Sequence, residues 1–245
     1  MYQNTRLEIE KDYEAMSQKA AWFFANVMRK YPDGAFGFAT GSTPIGLYKE
    51  LVRLHNEENL DFSGITTFNL DEYHPISRDS DQSYYYFMQD NLFGHVNVDQ
   101  ERVFILNGEA QDAAEECDEY EEKIQHAGGI VLQILGIGHN GHIGFNEPSD
   151  SFGADTRLLP LTEITINANA RHFENVSEVP RHALTMGIRT IMMAKHIMLV
   201  VNGGAKAAIL RDALNGPITP LVPASALQLH HSVIVIADQE AASLL

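Results

Sequence analysis

Three side chains capable of acid–base chemistry follow apolar segments that are predicted to be buried strands. Asp71 comes directly after residues 66–70, and His142 and Glu147 lie five residues apart in a glycine-rich stretch after Ile130–Leu135. An imidazole and a carboxylate at that spacing could form an acid–base pair, and a carboxylate that ends an apolar strand could be a partly desolvated base with a raised pKa. The alternatives are structural: Asp71 could cap a turn or helix, and the glycine-rich stretch could be an ordinary turn.

Two further glycine-bearing segments could bind an anion. Gly41, Ser42 and Thr43 precede a proline, so their amides and hydroxyls would lie at a helix N-terminus. Taken singly, Ser42 or Thr43 is more simply explained as a helix cap. Residues 202–206 combine two glycines with a cation, so Lys206 could contact a phosphate. Neither segment has the spacing of a P-loop or of a dinucleotide-binding loop.

A pair of histidines raises the question of a metal site. His139 and His142 are three residues apart. Glycines on both sides rule out a helical pair, and no cysteine lies nearby, so we predict no metal ion.

The composition excludes several kinds of partner. The 245 residues include 17 basic and 33 acidic side chains, which give a formal net charge of −16 at pH 7. That charge repels nucleic acid and anionic lipid, so tyrosines 84–86 are interpreted as core and groove lining and not as a platform for nucleobases. The single cysteine, Cys117, permits no intrachain disulfide. With no signal peptide or membrane-spanning run recognised, we expect a cytoplasmic protein that acts on a small molecule.

Strands and helices alternate along the whole chain. This pattern predicts a single α/β domain with a doubly wound, mainly parallel, Rossmann-like sheet and helices on both faces. The predicted helices are 12–30, one beginning at Pro44, 83–93, 109–122, 180–193 and 205–214. The predicted strands are 35–39, 66–70, 102–106, 130–135, 164–166, 196–201 and 232–237. Because the carboxyl ends of parallel strands meet at one edge, we expect four polar segments to converge there: 40–43, 71–73, 136–147 and 202–206.

Six segments together resemble the glucosamine-6-phosphate deaminases. They are residues 39–44 (ATGSTP), 68–73 (FNLDEY), 83–85 (SYY), 136–148 (GIGHNGHIGFNEP), 183–187 (ALTMG) and 227–230 (LQLH). The resemblance runs nearly from end to end. Its most specific parts are DEY and GHIGFNEP, whereas the first loop is shared with the related phosphogluconolactonases.

The resemblance implies conversion of glucosamine 6-phosphate and water to fructose 6-phosphate and ammonia, with no cofactor. Asp71 would move a proton between C2 and C1 of the ring-opened sugar. His142 would handle ring opening, and Glu147 would orient and tune it. The phosphate would be held by Gly41, Ser42, Thr43, Arg171 and Lys206, and the rest of the substrate would contact Glu72, Tyr84, Gly136 and Gly144. A mobile lid over about residues 160–185 would shield the intermediate.

Two departures from the family pattern affect these expectations. Asn140 occupies a catalytic position that is aspartate in many members, so His142 would rely mainly on Glu147. The larger allosteric members extend beyond the end of this chain, and Leu159 replaces a lysine that accompanies Arg157 in their activator site. We therefore expect no activation by N-acetylglucosamine 6-phosphate, and a monomer or small homo-oligomer in place of a hexamer.

Two other functions remain as alternatives. One is a 6-phosphogluconolactonase-type hydrolase with the same fold, against which residues 71–73 and 145–148 argue. The other is a non-catalytic domain that senses a sugar phosphate. Such a sensor should carry a helix-turn-helix segment or a basic patch, and the sequence shows neither.

Overall fold

Ten strands form two sheets in the computed structural model, which describes residues 5–163, 165–166 and 178–245. The strands are β1 (Thr5–Glu10), β2 (Ala35–Phe38), β3 (Thr66–Asn69), β4 (Asp71–His74), β5 (Val103–Phe104), β6 (Ile130–Leu135), β7 (Arg157–Pro160), β8 (His182–Thr185), β9 (His196–Val201) and β10 (Val233–Asp238). The main sheet has the order β1-β10-β9-β6-β2-β3-β5, and every neighbouring pair in it is parallel. The bounds of β6 and β9 are those predicted.

Three of the six helices described begin at a polar side-chain cap that the sequence supplies. Asp12 accepts a hydrogen bond from the amide of Ala15 at 2.8 Å, and Asp112 accepts from the amide of Ala114 at 3.0 Å. The helices are α1 (Tyr13–Lys30), α2 (Ile45–Glu58), α3 (Tyr84–Asn91), α4 (Ala113–His126), α5 (Ile188–Met192) and α6 (Ala207–Asn215). Among the described residues, no helix is long and apolar enough to cross a membrane.

Helices pack on both faces of the main sheet, because alternate side chains of a strand point to opposite faces. On one face, Phe36 of β2 packs against Phe24 of α1, with ring centroids 5.1 Å apart. On the other, Phe68 of β3 packs edge-on against Tyr120 of α4 at 5.6 Å. Phe68 is in register with Gly37, the residue after Phe36, which accounts for the change of face. The predicted fold class, a mainly parallel sheet flanked by helices, is confirmed.

A second, antiparallel sheet of order β4-β8-β7 was not predicted. The predicted helix 180–193 is wrong in its first half, because β8 occupies His182–Thr185 and only Ile188–Met192 is helical. The predicted strand 164–166 is also wrong: Thr165 and Ile166 are helical, and Ile164 lies outside the described residues. Part of the predicted lid over about 160–185 also lies outside the described residues, namely Ile164 and residues 167–177, with Arg171 among them.

Gly37 provides the space that a buried side chain of the neighbouring strand needs. Gln133 of β6 is fully buried, and its Nε2 donates to the carbonyl of Ile134 at 2.9 Å. A Cβ on Gly37 would lie 1.9 Å from Oε1 of Gln133. A larger residue at position 37 must therefore displace Gln133 or the strand itself.

We expect Gly37→Ala to lower the free energy of unfolding by about 1–3 kcal/mol, because overpacking forces neighbouring atoms to move. Urea unfolding followed by circular dichroism measures the effect. Gly204→Ala is the matched control, since a Cβ there would have its nearest neighbour at 4.0 Å. Equal unfolding midpoints for the two variants would contradict the packing argument.

Candidate active site

A cavity of about 400 Å³ opens at the carboxyl edge of the main sheet. The segments that follow β2, β6 and β9 line it together with the start of β4, so the four predicted polar segments meet there. Of the predicted site residues, the lining includes Gly41, Ser42, Thr43, Asp71, Tyr84, Gly136, Asn140, His142, Gly144 and Lys206. Glu72 and Glu147 lie outside the lining, and Arg171 is not among the described residues.

Asp71 is the first residue of β4, and it lines the cavity although only 6% of it is exposed. Burial, together with the neighbouring carboxylate of Glu72, raises the pKa of Asp71 to about 8. The alternative that Asp71 caps the following helix is not supported, because Ser83 caps α3. A carboxyl group whose pKa lies close to neutral pH can both accept and return a proton.

Glu72, which was predicted to contact the substrate, binds three backbone amides within the protein. It is 2% exposed, and its carboxylate receives three backbone amides. Its Oε1 accepts from Tyr73 and Tyr84 at 2.9 Å each, and its Oε2 accepts from Tyr85 at 3.0 Å. Burial raises the pKa of Glu72 to about 7, and the three amides oppose that shift. Glu72 therefore joins β4 to the N-terminus of α3.

The imidazole of His142 lies against a tight turn that only glycine allows. A Cβ on Gly138 would lie 2.2 Å from Cε1 of His142. The amide of Gly138 donates to the carbonyl of His142 at 2.9 Å, and Gly141 has a φ of 88°. Two of the glycines thus have a specific structural reason. Gly141 lets the backbone turn back on itself, and Gly138 leaves room for the imidazole of His142.

Glu147 is the carboxylate nearest to that imidazole among the described residues. Its Oε1 lies 3.5 Å from Nδ1 of His142, and its Oε2 accepts from Nδ2 of Asn140 at 2.5 Å. Thr165 donates to Oε1 at 2.6 Å. Burial acts to raise the pKa of Glu147, but the nearby imidazole of His142 and the hydrogen bonds from Thr165 and Asn140 outweigh it and lower the pKa to about 2. Glu147 is therefore ionised across the physiological range.

The loop after β2 makes hydrogen bonds with α1 and with the segment after β9. Thr43 donates through its hydroxyl to Oδ1 of Asn202 at 2.6 Å, which ties this loop to the segment after β9. The hydroxyl of Tyr13 donates to the carbonyl of Thr43 at 3.1 Å and accepts from the amide of Gly46 at 2.8 Å. The expected role of Thr43 or Ser42 as a cap is wrong, since α2 has no side-chain cap and Pro44 occupies that position.

Lys206 brings a cation to the same side of the cavity. Its Nζ donates to the carbonyl of Ile137 at 2.8 Å, and no carboxylate of the described residues pairs with it. Burial lowers the pKa of Lys206 to about 8. The charge on Lys206 in turn lowers the pKa of His139, which also lines the cavity. A desolvated ammonium group beside a glycine-rich loop is suited to hold a phosphate.

An aromatic wall and a glycine complete the cavity. Tyr84 and Phe145 stack with an interplanar angle of 4° and centroids 6.1 Å apart, which agrees with the predicted groove-lining role of Tyr84. Gly144 has a φ of 57°, and a Cβ on it would lie 3.4 Å from Oδ2 of Asp71. The backbone of residues 143–147 can therefore approach Asp71 closely.

Four residues that support the site were not predicted. Tyr13 and Thr165 make the contacts described above. Thr185 of β8 accepts from the amide of Phe145 through its hydroxyl at 3.1 Å. The Nδ2 atom of Asn146 donates to the carbonyl of Met186 at 2.8 Å. These polar contacts have no sequence spacing of their own, because each joins segments that are distant in the sequence and meet only in the folded chain.

The histidines at 139 and 142 were also considered as metal ligands. In the part of the chain that the structure describes, no group of three or more His, Cys, Asp or Glu side chains is arranged to hold a metal ion. The two rings line the cavity as separate polar groups.

Comparison with known proteins gives the class of protein to which this fold and cavity belong. The profile of the glucosamine-6-phosphate isomerases and 6-phosphogluconolactonases matches residues 11–236. The chain therefore belongs to this family.

Individual relatives are more specific. A glucosamine-6-phosphate deaminase of Alkaliphilus oremlandii is 54% identical over 239 residues, which cover 98% of this chain and 99% of the relative. The solved structure of a monomeric glucosamine-6-phosphate deaminase superposes with a TM-score of 0.95 at 47% identity, covering 98% of this chain and 100% of the other. A 6-phosphogluconolactonase from Trypanosoma brucei has a TM-score of 0.78 at 17% identity, covers 100% of each chain, and shows the fold alone.

We expect Lys206→Ala to weaken the binding of inorganic phosphate by at least about tenfold at pH 7.5, because a charge-assisted hydrogen bond is lost. Since the pKa of Lys206 is lowered to about 8, the parent should lose affinity as the pH rises through 8 and the ammonium group loses its proton. Lys206→Arg should keep its affinity to pH 9, because a guanidinium stays charged. Isothermal calorimetry measures the phosphate affinity of the parent, Lys206→Ala and Lys206→Arg. Lys123→Ala, outside the cavity lining, is the control. Equal affinity in Lys206→Ala and the parent would remove this lysine from the anion site.

Proposed function

We propose that this chain converts glucosamine 6-phosphate and water to fructose 6-phosphate and ammonia. The observation that carries the proposal is that a buried carboxyl group with a raised pKa and an imidazole 3.5 Å from the carboxylate of Glu147 line one cavity together with Lys206. The similarity to named glucosamine-6-phosphate deaminases favours this activity over lactone hydrolysis.

Binding begins with the phosphate. Its charges would be met by Lys206, by the backbone amides of residues 41–43, and by Arg171 as a second cation. Because the net charge of the chain is −16, the local cation and amides must outweigh a general repulsion of anions. Holding the phosphate there would leave the sugar to extend toward Asp71 and His142, which line the same cavity.

Ring opening would follow at His142. With Nδ1 directed at Glu147, Nε2 is the ring nitrogen left to face the sugar. It would take the proton of the C1 hydroxyl and return a proton to the ring oxygen as the bond between C1 and that oxygen breaks. The ionised carboxylate of Glu147 stabilises the imidazolium that forms in between.

Isomerisation and loss of ammonia would depend on Asp71. The C1 aldehyde acidifies the C2 proton, which Asp71 would remove and then deliver to C1, while the C1 oxygen takes up a proton that the C2 ammonium group loses. The C2 imine that results is hydrolysed by water to the ketone, with release of ammonia. The substrate's C2 ammonium group brings a positive charge close to Asp71, and this charge favours the carboxylate form that the reaction requires.

The proposed activity also implies an oligomeric state, a cellular compartment and a kind of metabolism. A monomer or small homo-oligomer is expected by analogy with the monomeric deaminase. We place the activity in the cytoplasm and in the breakdown of amino sugars, such as N-acetylglucosamine, because its substrate is a phosphorylated amino sugar.

The test compares the parent with Asp71→Asn. The parent should release equal amounts of ammonia and fructose 6-phosphate from glucosamine 6-phosphate, also with a chelator present. Asp71→Asn keeps the shape of the side chain but cannot take the C2 proton, so kcat should fall by at least about a hundredfold while substrate still binds. Product is measured by coupled assay, and binding by calorimetry. Absence of both products in the parent would overturn the function, and near-normal turnover in Asp71→Asn would overturn the role of Asp71.

Regulation is expected to be absent because the two positions of the activator site offer little to a phosphate. Nη2 of Arg157 donates to Oδ1 of Asn146 at 2.8 Å, and Nη1 donates to the carbonyl of Asp155 at 3.3 Å. The guanidinium also packs on Gly153, where a Cβ would lie 2.1 Å from Cζ. Leu159 cannot pair with a phosphate. Arg157 is therefore already engaged within the protein.

We expect a hyperbolic velocity curve against glucosamine 6-phosphate, with a Hill coefficient of about one, because allostery requires a second site that distinguishes two states. N-acetylglucosamine 6-phosphate should leave the curve in place or inhibit by competition. Steady-state kinetics with and without the acetylated sugar phosphate is the measurement. A sigmoidal curve that this compound makes hyperbolic would contradict the expectation.

A further inference from the structure

Thr165 contacts the carboxylate that faces the histidine, although no sequence motif singled it out. Its hydroxyl donates to Oε1 of Glu147 at 2.6 Å, and Thr165 itself is 8% exposed and lines the cavity. Oε2 of the same carboxylate accepts from Asn140 at 2.5 Å. Two neutral donors thus fix both oxygens of Glu147, one from the glycine-rich turn and one from a separate segment.

Thr165 and His142 both face the same oxygen of Glu147, Oε1. Nδ1 of His142 lies 3.5 Å from Oε1, which is too far for a well-formed hydrogen bond. Within the described residues, this buried nitrogen has no hydrogen-bond partner. The short bond from Thr165 and the long contact from His142 therefore share one acceptor atom.

A second threonine sets the position of the first. Thr162 accepts from the amide of Thr165 through its hydroxyl at 3.2 Å and donates to Oγ1 of Thr165 at 3.0 Å. The carbonyl of Thr162 also accepts from the amide of Ile166 at 2.9 Å, which closes one helical turn. Hydroxyls at this spacing commonly fix the start of a helical turn. Thr165 is therefore presented to Glu147 in one orientation.

We propose that Thr165 is a positioning residue that fixes the carboxylate of Glu147 and so determines how closely that carboxylate engages His142. The inference rests on the proposed function, in which His142 opens the sugar ring. Thr165 acts through Glu147 and takes no proton from the substrate.

Loss of the hydroxyl should have two consequences. Glu147 is mostly buried and ionised, so an unpaired Oε1 would turn until it found another donor. Nδ1 of His142 is the donor 3.5 Å away. A closer pair would turn the ring away from the orientation that the sugar needs, which lowers turnover without weakening the phosphate contacts.

The kinetic experiment uses Thr165→Val, which keeps the shape of the side chain, and Thr165→Ser, which keeps the hydroxyl. Thr165→Val should lower kcat by on the order of tenfold, the effect of a lost hydrogen bond to a charged group, with KM changed less than about twofold. Thr165→Ser should restore kcat to within about twofold of the parent. Thr190→Val is the matched control, since Thr190 is buried and also donates to a carboxylate, that of Glu121, outside the cavity lining. Its kcat should equal that of the parent.

A double-variant cycle tests whether Thr165 acts through Glu147. In a Glu147→Gln background, Thr165→Val should cause no further loss of kcat. Proton NMR of the free protein gives a readout that does not need activity: the Nδ1 proton of His142 should move downfield and exchange more slowly in Thr165→Val, but not in Thr190→Val. His142→Gln assigns the signal.

Four results would overturn the proposal: a normal kcat in Thr165→Val, an equal loss in the Glu147→Gln background, no rescue by serine, or an unchanged His142 signal. If Thr165→Val does not fold, Thr165→Ala replaces it with the same expectations. Failure of the proposed function is recognised separately, because the parent would then form no fructose 6-phosphate while the NMR comparison would still report on Thr165.

Discussion

The three hydrogen bonds of Glu72 are the interaction on which the candidate site depends. Its carboxylate holds the amides of Tyr73, Tyr84 and Tyr85 and so fixes β4 against the N-terminus of α3. A buried carboxylate without such donors would be too costly to keep, and the helix N-terminus adds a favourable dipole. Because neighbouring side chains of a strand point in opposite directions, Glu72 directed at α3 leaves Asp71 directed into the cavity. Glu72 thus fixes the strand that places Asp71 in the cavity.

The pKa values of two carboxyl groups near the cavity, those of Asp71 and Glu147, are shifted in opposite directions. Asp71 is buried beside Glu72, and its pKa rises to about 8, whereas donors hold the pKa of Glu147 near 2. A pair of groups whose environments separate their pKa values in this way can divide the roles of proton carrier and fixed charge. The division follows from the number of donors: Glu147 accepts hydrogen bonds from Asn140 and Thr165, whereas Asp71 is desolvated and the nearby carboxylate of Glu72 raises its pKa further. Lys206, also desolvated, supplies a positive charge to the same cavity.

The sequence predicted six of the seven strands of the main sheet but none of the three strands of the second sheet. β6 and β9 are uninterrupted apolar runs, and their bounds were predicted correctly. The strands of the antiparallel sheet have only four residues each, and Arg157–Pro160 ends in a proline. His182–Thr185 was wrongly assigned to a helix from its local sequence. Its conformation is decided by pairing with β4 and β7, which the local sequence does not show. β1 was missed although Thr5–Glu10 alternates polar and apolar residues, a signal that could have been used. The supporting contacts of Thr165, Thr185 and Tyr13 join segments that are distant in the sequence, so they have no pattern in the sequence.

Asn140 affects the electrostatics of His142 through Glu147, because it holds that carboxylate with a neutral amide. Its Nδ2 donates to Glu147, and its Oδ1 accepts from the backbone amide of His142 at 3.3 Å. An ionised aspartate at this position could accept the second bond but could not donate the first, so two carboxylates would repel each other at 2.5 Å, and one would have to move or take up a proton. In this chain the turn therefore supplies one full negative charge to His142 and uses a neutral amide to hold it. The histidine depends on Glu147, and Glu147 depends on the two donors that fix it.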